Sequence, residues 1–98
     1  MGSNVIVVWL EEAERDRYEI GRAIAAENPN AAIHLDELFM KAAQSLEFFP
    51  ERARAGVVPG TRELLVHPSY KLIYEIDGKD VYILAIIHTS RQWPPLGG

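Results

Sequence analysis

The sequence predicts an α+β domain in which a helical hairpin covers one face of a four-stranded sheet, in the order β-α-α-β-β-β. Three observations carry that prediction. An apolar, β-branched run opens the chain at Val5 to Leu10, residues 11–49 place apolar side chains at helical spacing, and residues 61–88 follow a period of two.

Val5-Ile6-Val7-Val8-Trp9-Leu10 is short and apolar at every position, which reads as a strand buried on both faces. Ala13, Arg17, Ile20, Gly21 and Ile24 then fall on one stripe of a helix from Glu11 to Glu27, whose first turns hold Glu11, Glu12, Glu14 and Asp16, where carboxylates complement the positive helix end. Asn28-Pro29 ends it and starts another, with Asn28 or Asn30 as the cap. The second helix carries Leu35, Leu38, Phe39, Ala42, Leu46 and Phe49 on one stripe before Pro50, and the short connection predicts an antiparallel hairpin. Pro50 to Gly60 reads as a long loop. Three strands follow, Thr61 to His67, Tyr70 to Ile76 and Asp80 to His88, joined by turns at Pro68-Ser69 and Asp77-Gly78. The last is apolar on both faces, Val81, Ile83, Ala85 and Ile87 against Tyr82, Leu84 and Ile86, so it should be central, with Val5 to Leu10 as its extra neighbour.

Length and charge narrow the function. Ninety-eight residues make one domain over 1–98 that should bury roughly 60–68% of its unfolded surface. There is no cysteine, which excludes disulfides and thiolate zinc sites and fits a reducing cytoplasm. No apolar run approaches the roughly 20 residues of a membrane span, and Met1-Gly2-Ser3 reads as a cloning remnant. Ten basic against fourteen acidic side chains give a net charge of −4. The imbalance is local: residues 1–50 hold four basic and nine acidic groups, residues 51–98 six and five. Such a field repels a polyanion, so the chain alone is not expected to bind nucleic acid. His34, His67 and His88 are dispersed, and neither a metal nor a cofactor is expected.

Four stretches then carry a family resemblance over about residues 5 to 94: the strand ending in Trp9 with its acidic helix and Ala13; Asn28-Pro29 with Ala31-Ala32; Gly60-Thr61-Arg62-Glu63-Leu64 leading to Tyr70-Lys71-Leu72-Ile73-Tyr74; and Ile83-Leu84-Ala85-Ile86-Ile87-His88 followed by Arg91-Gln92-Trp93-Pro94. In order and spacing they resemble the RelE/ParE superfamily of bacterial toxin–antitoxin modules, and within it the ParE, or plasmid-stabilisation, branch. The resemblance implies a toxin held in a hetero-oligomer by a ParD-like antitoxin whose C-terminal segment wraps over it. It implies one of two poisons: ParE-like members resemble protein inhibitors of DNA gyrase, whereas RelE-like members are ribosome-dependent endoribonucleases of messenger RNA.

Metal-free RNA cleavage needs a base, a cation for the phosphorane and an acid for the leaving oxygen. Here the set would be Arg62, Lys71, His88 and Arg91. The Tyr or His that RelE-like nucleases carry at the C-terminus is absent after Arg91, and no second Lys accompanies Lys71. No catalytic residue is therefore expected, and a non-toxic member that only binds its antitoxin is a third reading. His88 should lie on the Tyr82, Leu84 and Ile86 face, where a strand-end His makes a hydrogen bond to its surroundings. Arg62 either acts or pairs with Glu63, Glu75 or a helix carboxylate. Arg91 and Trp93 are the residue types that dominate interfaces and are the expected target-binding pair, although Trp93 would serve equally as a cap on the core. Candidates for antitoxin contact are Glu11, Glu12, Tyr70 and Tyr74, the acids drawing a basic segment.

Overall fold

The apolar period of two after Gly60 becomes three antiparallel strands, and the run before Glu11 joins them from the other end of the chain. The computed structural model describes residues 5–95, so Met1-Gly2-Ser3 lies outside the described residues. In chain order the elements are β1 (Ile6–Trp9), α1 (Glu11–Ala25), α2 (Pro29–Ser45), β2 (Arg54–Ala55), β3 (Thr61–His67), β4 (Tyr70–Asp77) and β5 (Asp80–His88). They build one mixed sheet of order β1-β5-β4-β3-β2, with β1 parallel to β5 and the other neighbours antiparallel. The α+β class and the flanking of β5 on both sides are as the sequence predicts.

Each helix starts by a different device. Leu10 precedes α1 and supplies no capping side chain, so Glu11, Glu12 and Glu14 complement the exposed N–H groups electrostatically. Asn28 caps α2 with its own carbonyl, which accepts the Ala31 N–H at 3.1 Å, and Pro29 takes the first helical position. The helices are clamped by Arg17, whose Nε and Nη2 donate to the two Asp36 oxygens at 2.6 and 3.0 Å while its guanidinium lies 5.3 Å from the centre of the Trp9 ring. That is why an arginine occupies the apolar stripe of α1. Leu35, Phe39 and Leu46 of the second helical segment meet Leu64, Leu72, Tyr74, Val81 and Ile83 from the sheet to form the core.

Four expectations are corrected. The sheet has five strands, because Arg54–Ala55 pairs with Glu63 and Arg62 inside the segment that reads as loop. Gly56 permits this: a Cβ there would stand 2.4 Å from Thr61 Oγ1. The first strand is an edge rather than a strand buried twice, with Ile6, Val8 and Leu10 exposed by 60, 36 and 38%. Phe49 leaves the helical stripe, since α2 ends at Ser45, and is 66% exposed. Finally, the β4–β5 register slips between Ile73 and Tyr74, which pair with Ala85 and Ile83 and leave Leu84 as an extra residue. The slip reverses the alternation: Val81 and Ile83, then Ile86, reach the helix-side core. His88 therefore stands on the face opposite Tyr82 and Leu84.

Phe39 and Phe49 separate by experiment. Phe39 is 1% exposed, and Phe39→Ala should cost about 3–5 kcal/mol in urea unfolding, whereas Phe49→Ala should stay within about 0.5 kcal/mol.

Candidate functional site

β1 stops at Trp9 while β5 continues to His88, and this difference opens a groove. Leu10 makes the last bond of the pair, its N–H donating to the Ile83 carbonyl at 3.0 Å, and the chain then turns into α1. Beyond Ile83, the side of β5 that β1 leaves faces α1. There the Ile86 N–H donates to Asp16 Oδ2 at 3.0 Å, a contact across seventy residues of chain. The resulting groove of about 840 Å³ has Glu12, Asp16 and Glu19 along one wall and Tyr70, His88, Arg91 and Trp93 on the other side. Burial, reinforced by the charges of Glu12 and Glu19, raises the Asp16 carboxyl above its ordinary value despite the bond from Ile86.

The opposite rim rests on turns made by histidines. His88 Nδ1 accepts the Ser90 N–H at 3.1 Å and lies 2.8 Å from Ser90 Oγ, and His67 Nδ1 accepts the Ser69 N–H at 3.0 Å. Between them sits Tyr70, its ring edge-on to Phe39 and to His88 at 5.9 and 5.6 Å. The Arg91 N–H closes on the His88 carbonyl at 2.9 Å, which aims the tail over the groove. Trp93 is half-buried there rather than folded into the core.

Of the residues named from sequence, the groove brings together Glu12, Tyr70, His88, Arg91 and Trp93. Glu11 is exposed at the start of α1 and does not line it. Tyr74, expected as an antitoxin contact, is fully buried and donates its hydroxyl to the Pro50 carbonyl at 2.6 Å, so it offers no surface to a partner. Burial raises its phenol above the ordinary value.

The four cations and imidazoles of the ribonuclease set do not converge. Arg62 is paired opposite Tyr74 on the helix side and donates Nη1 to the Glu51 and Ala53 carbonyls at 3.2 and 2.8 Å, so it binds backbone and not the carboxylates expected for it. Lys71 belongs to the other face, one residue out of phase with Leu72, and its Nζ donates to Glu63 Oε1 at 3.1 Å. Glu63 also faces Arg54 at 3.7 Å. Burial alone would raise the Glu63 carboxyl, but the hydrogen bond and charge of Lys71 outweigh it and hold the group below its ordinary value. Among the described residues no group of three or more metal-ligating side chains comes together.

The model of the ParE toxin of type II toxin–antitoxin systems, parDE, matches residues 7–93. The chain belongs to this family. Its relatives include the candidate toxin Y4kP of Sinorhizobium fredii, 36% identical over 88% of this chain and 90% of that one. Toxin RelE2 of Caulobacter vibrioides is 35% identical over 87% of this chain and 96% of its own. Among solved structures, a chain of the chromosomal ParDE system of P. aeruginosa superposes with a TM-score of 0.75 at 22% identity, covering 86% of this chain and 95% of that chain. That likeness establishes the ParE fold.

Sequence reasoning missed Asp16 and Glu63. Asp16 sits in the first turns of an acidic helix, where the dipole already accounts for a carboxylate, and Glu63 stands beside Arg62, which the sequence already offers it as a cation. Nothing local announces that one meets Ile86 and the other Lys71.

Both carboxylates make predictions about pH. The Glu63 value is depressed, so its ionised form stabilises the fold above the ordinary value of 4.5 and that contribution is lost as pH falls through the lowered one. Glu63→Gln should flatten the acid limb of a stability-versus-pH curve. Asp16 has the opposite sign: its raised value means that ionisation costs stability as pH rises through it from 3.8. Asp16→Asn retains an acceptor for Ile86 and should leave the neutral-pH melting temperature equal or higher, whereas Asp16→Ala unpairs that N–H and should cost about 1–3 kcal/mol.

Proposed function

We propose that this ParE-family chain is a non-enzymatic toxin that arrests growth by binding a cellular protein, DNA gyrase, and is silenced in the cytoplasm by a ParD-like antitoxin held with it in a hetero-oligomer. The observation that carries this reading is the separation of the cations. A metal-free ribonuclease aligns its base, acid and phosphorane-stabilising cation around one phosphate. Here Lys71 and Arg62 lie on opposite faces of the sheet, the first held by Glu63 and the second by two backbone carbonyls. The groove beside His88 and Arg91 has three carboxylates along its other wall, an unfavourable field for a phosphodiester. Arg91 and Trp93, together at the groove mouth, are the expected anchors for a protein target. The family's place in parDE systems supports the antitoxin partner.

A RelE-type messenger RNA endonuclease is the second reading, favoured by the identity to the protein named toxin RelE2. The two separate in vitro. Purified protein should block gyrase supercoiling and leave ribosome-bound messenger RNA intact; cleaved message with gyrase unaffected overturns the proposal, and normal growth on induction without antitoxin marks a member that poisons nothing. Arg91→Ala and Trp93→Ala should each weaken growth arrest and gyrase inhibition at least about tenfold without lowering the melting temperature. Unfolding by Trp93→Ala would assign that side chain to the core instead.

A further inference from the structure

The groove has a direction as well as a charge. β1 runs parallel to β5 and ends opposite Ile83, while β5 continues through Leu84 to His88, about 17 Å of strand at the usual rise. Along that length no strand of the described residues occupies the lane next to β5. Its edge is ready for pairing: the Ile86 N–H points off it to Asp16, and the His88 N–H points the same way, because Tyr70 and His88 face each other without exchanging bonds while the Thr89 N–H donates to Ser69. Glu12, Asp16 and Glu19 line the lane from α1 at helical spacings of four and three, so one face of the helix presents three carboxylates in a row. None of the three has an ion-pair partner within 4 Å among the described residues. Arg91, the one cation among the lining residues, stands beyond the end of β5.

We propose that this lane receives an extended, basic segment of the antitoxin as an added strand in line with β1, with Lys or Arg side chains at alternate positions meeting Glu12, Asp16 and Glu19 and main-chain bonds to the Ile86 and His88 edge. Charge complementarity chooses the occupant. A strand brings side chains to one side at every second residue, close to the spacing of the acidic row, and an acidic or neutral segment would leave three carboxylates facing no cation. A second copy of this chain is disfavoured by the same field, since it carries a net charge of −4 and its edge strand β1, Ile6–Trp9, offers no cation. Asp16 acts meanwhile as a guard on the edge, holding the Ile86 N–H while the lane is vacant. The proposal rests on the reading of the chain as a toxin with an antitoxin.

The test uses a capped hexapeptide alternating Lys and Val, an otherwise identical Glu and Val peptide, and the full chain labelled with ¹⁵N. The basic peptide should bind with an affinity that falls steeply with salt, and the largest amide shifts should fall at Ile86 and His88. The double variant Glu12→Gln/Glu19→Gln, which touches no internal hydrogen bond, should weaken it at least about tenfold, and Asp16→Asn should do so while keeping the fold. Equal binding of the acidic peptide, unchanged affinity in both variants, or shifts confined to another face would overturn the proposal. Failure of the gyrase assay leaves these outcomes untouched, so the two readings fall separately.

Discussion

The hydrogen bond from Ile86 to Asp16 joins the two halves of this molecule where the sheet would otherwise fray. β1 is too short to pair with the whole of β5, and the chain must reverse at Leu10 to begin α1. A backbone N–H left on that edge needs an acceptor, and the helix that follows β1 supplies one two turns later. The contact sets the distance between α1 and the end of β5, and hence the width of the groove. It also explains why a carboxylate is tolerated half out of water among other carboxylates: replacing it by an apolar side chain would strand the amide.

The slip in the β4–β5 ladder has consequences for chemistry. One extra residue at Leu84 moves His88 to the helix side of the sheet and leaves Lys71 on the other. Lys71 and His88 cannot then face a single phosphate together. Three cations instead do structural work: Arg62 gathers the 51–53 backbone, Lys71 neutralises buried Glu63, and Arg17 joins the helices over Trp9. The chain's charge of −4 has the same meaning locally as globally. Glu12, Asp16 and Glu19, which have no ion-pair partner among the described residues, line the groove beside His88 and Arg91.

The class, both helices, the three-strand meander and the neighbours of β5 were legible because each rests on local periodicity or on a named cap or turn, such as Asn28-Pro29 and Asp77-Gly78. β2 was illegible because two residues carry no period; its existence depends on Gly56 letting the backbone approach Thr61. The edge position of β1 was misread since apolar content on both faces marks burial only when something covers both. Half of the site could be named in advance. Tyr70, Arg91 and Trp93 drew attention by residue type, whereas Tyr74 is the same type in the core, a difference set by strand phase and the reach of its hydroxyl to Pro50. Asp16 was hidden by long-range pairing, which no local pattern encodes.

The central claim is that β5 ends in a vacant lane closed only by Asp16, and amide hydrogen exchange of the free protein tests it most directly. Two neighbouring amides on the same edge should behave differently: Ile86 protected through its bond to Asp16, and His88 exchanging close to the rate of an open chain. Equal, strong protection of both would mean that the lane is already filled, and equal, rapid exchange would mean that Asp16 does not hold the edge; either result contradicts the account.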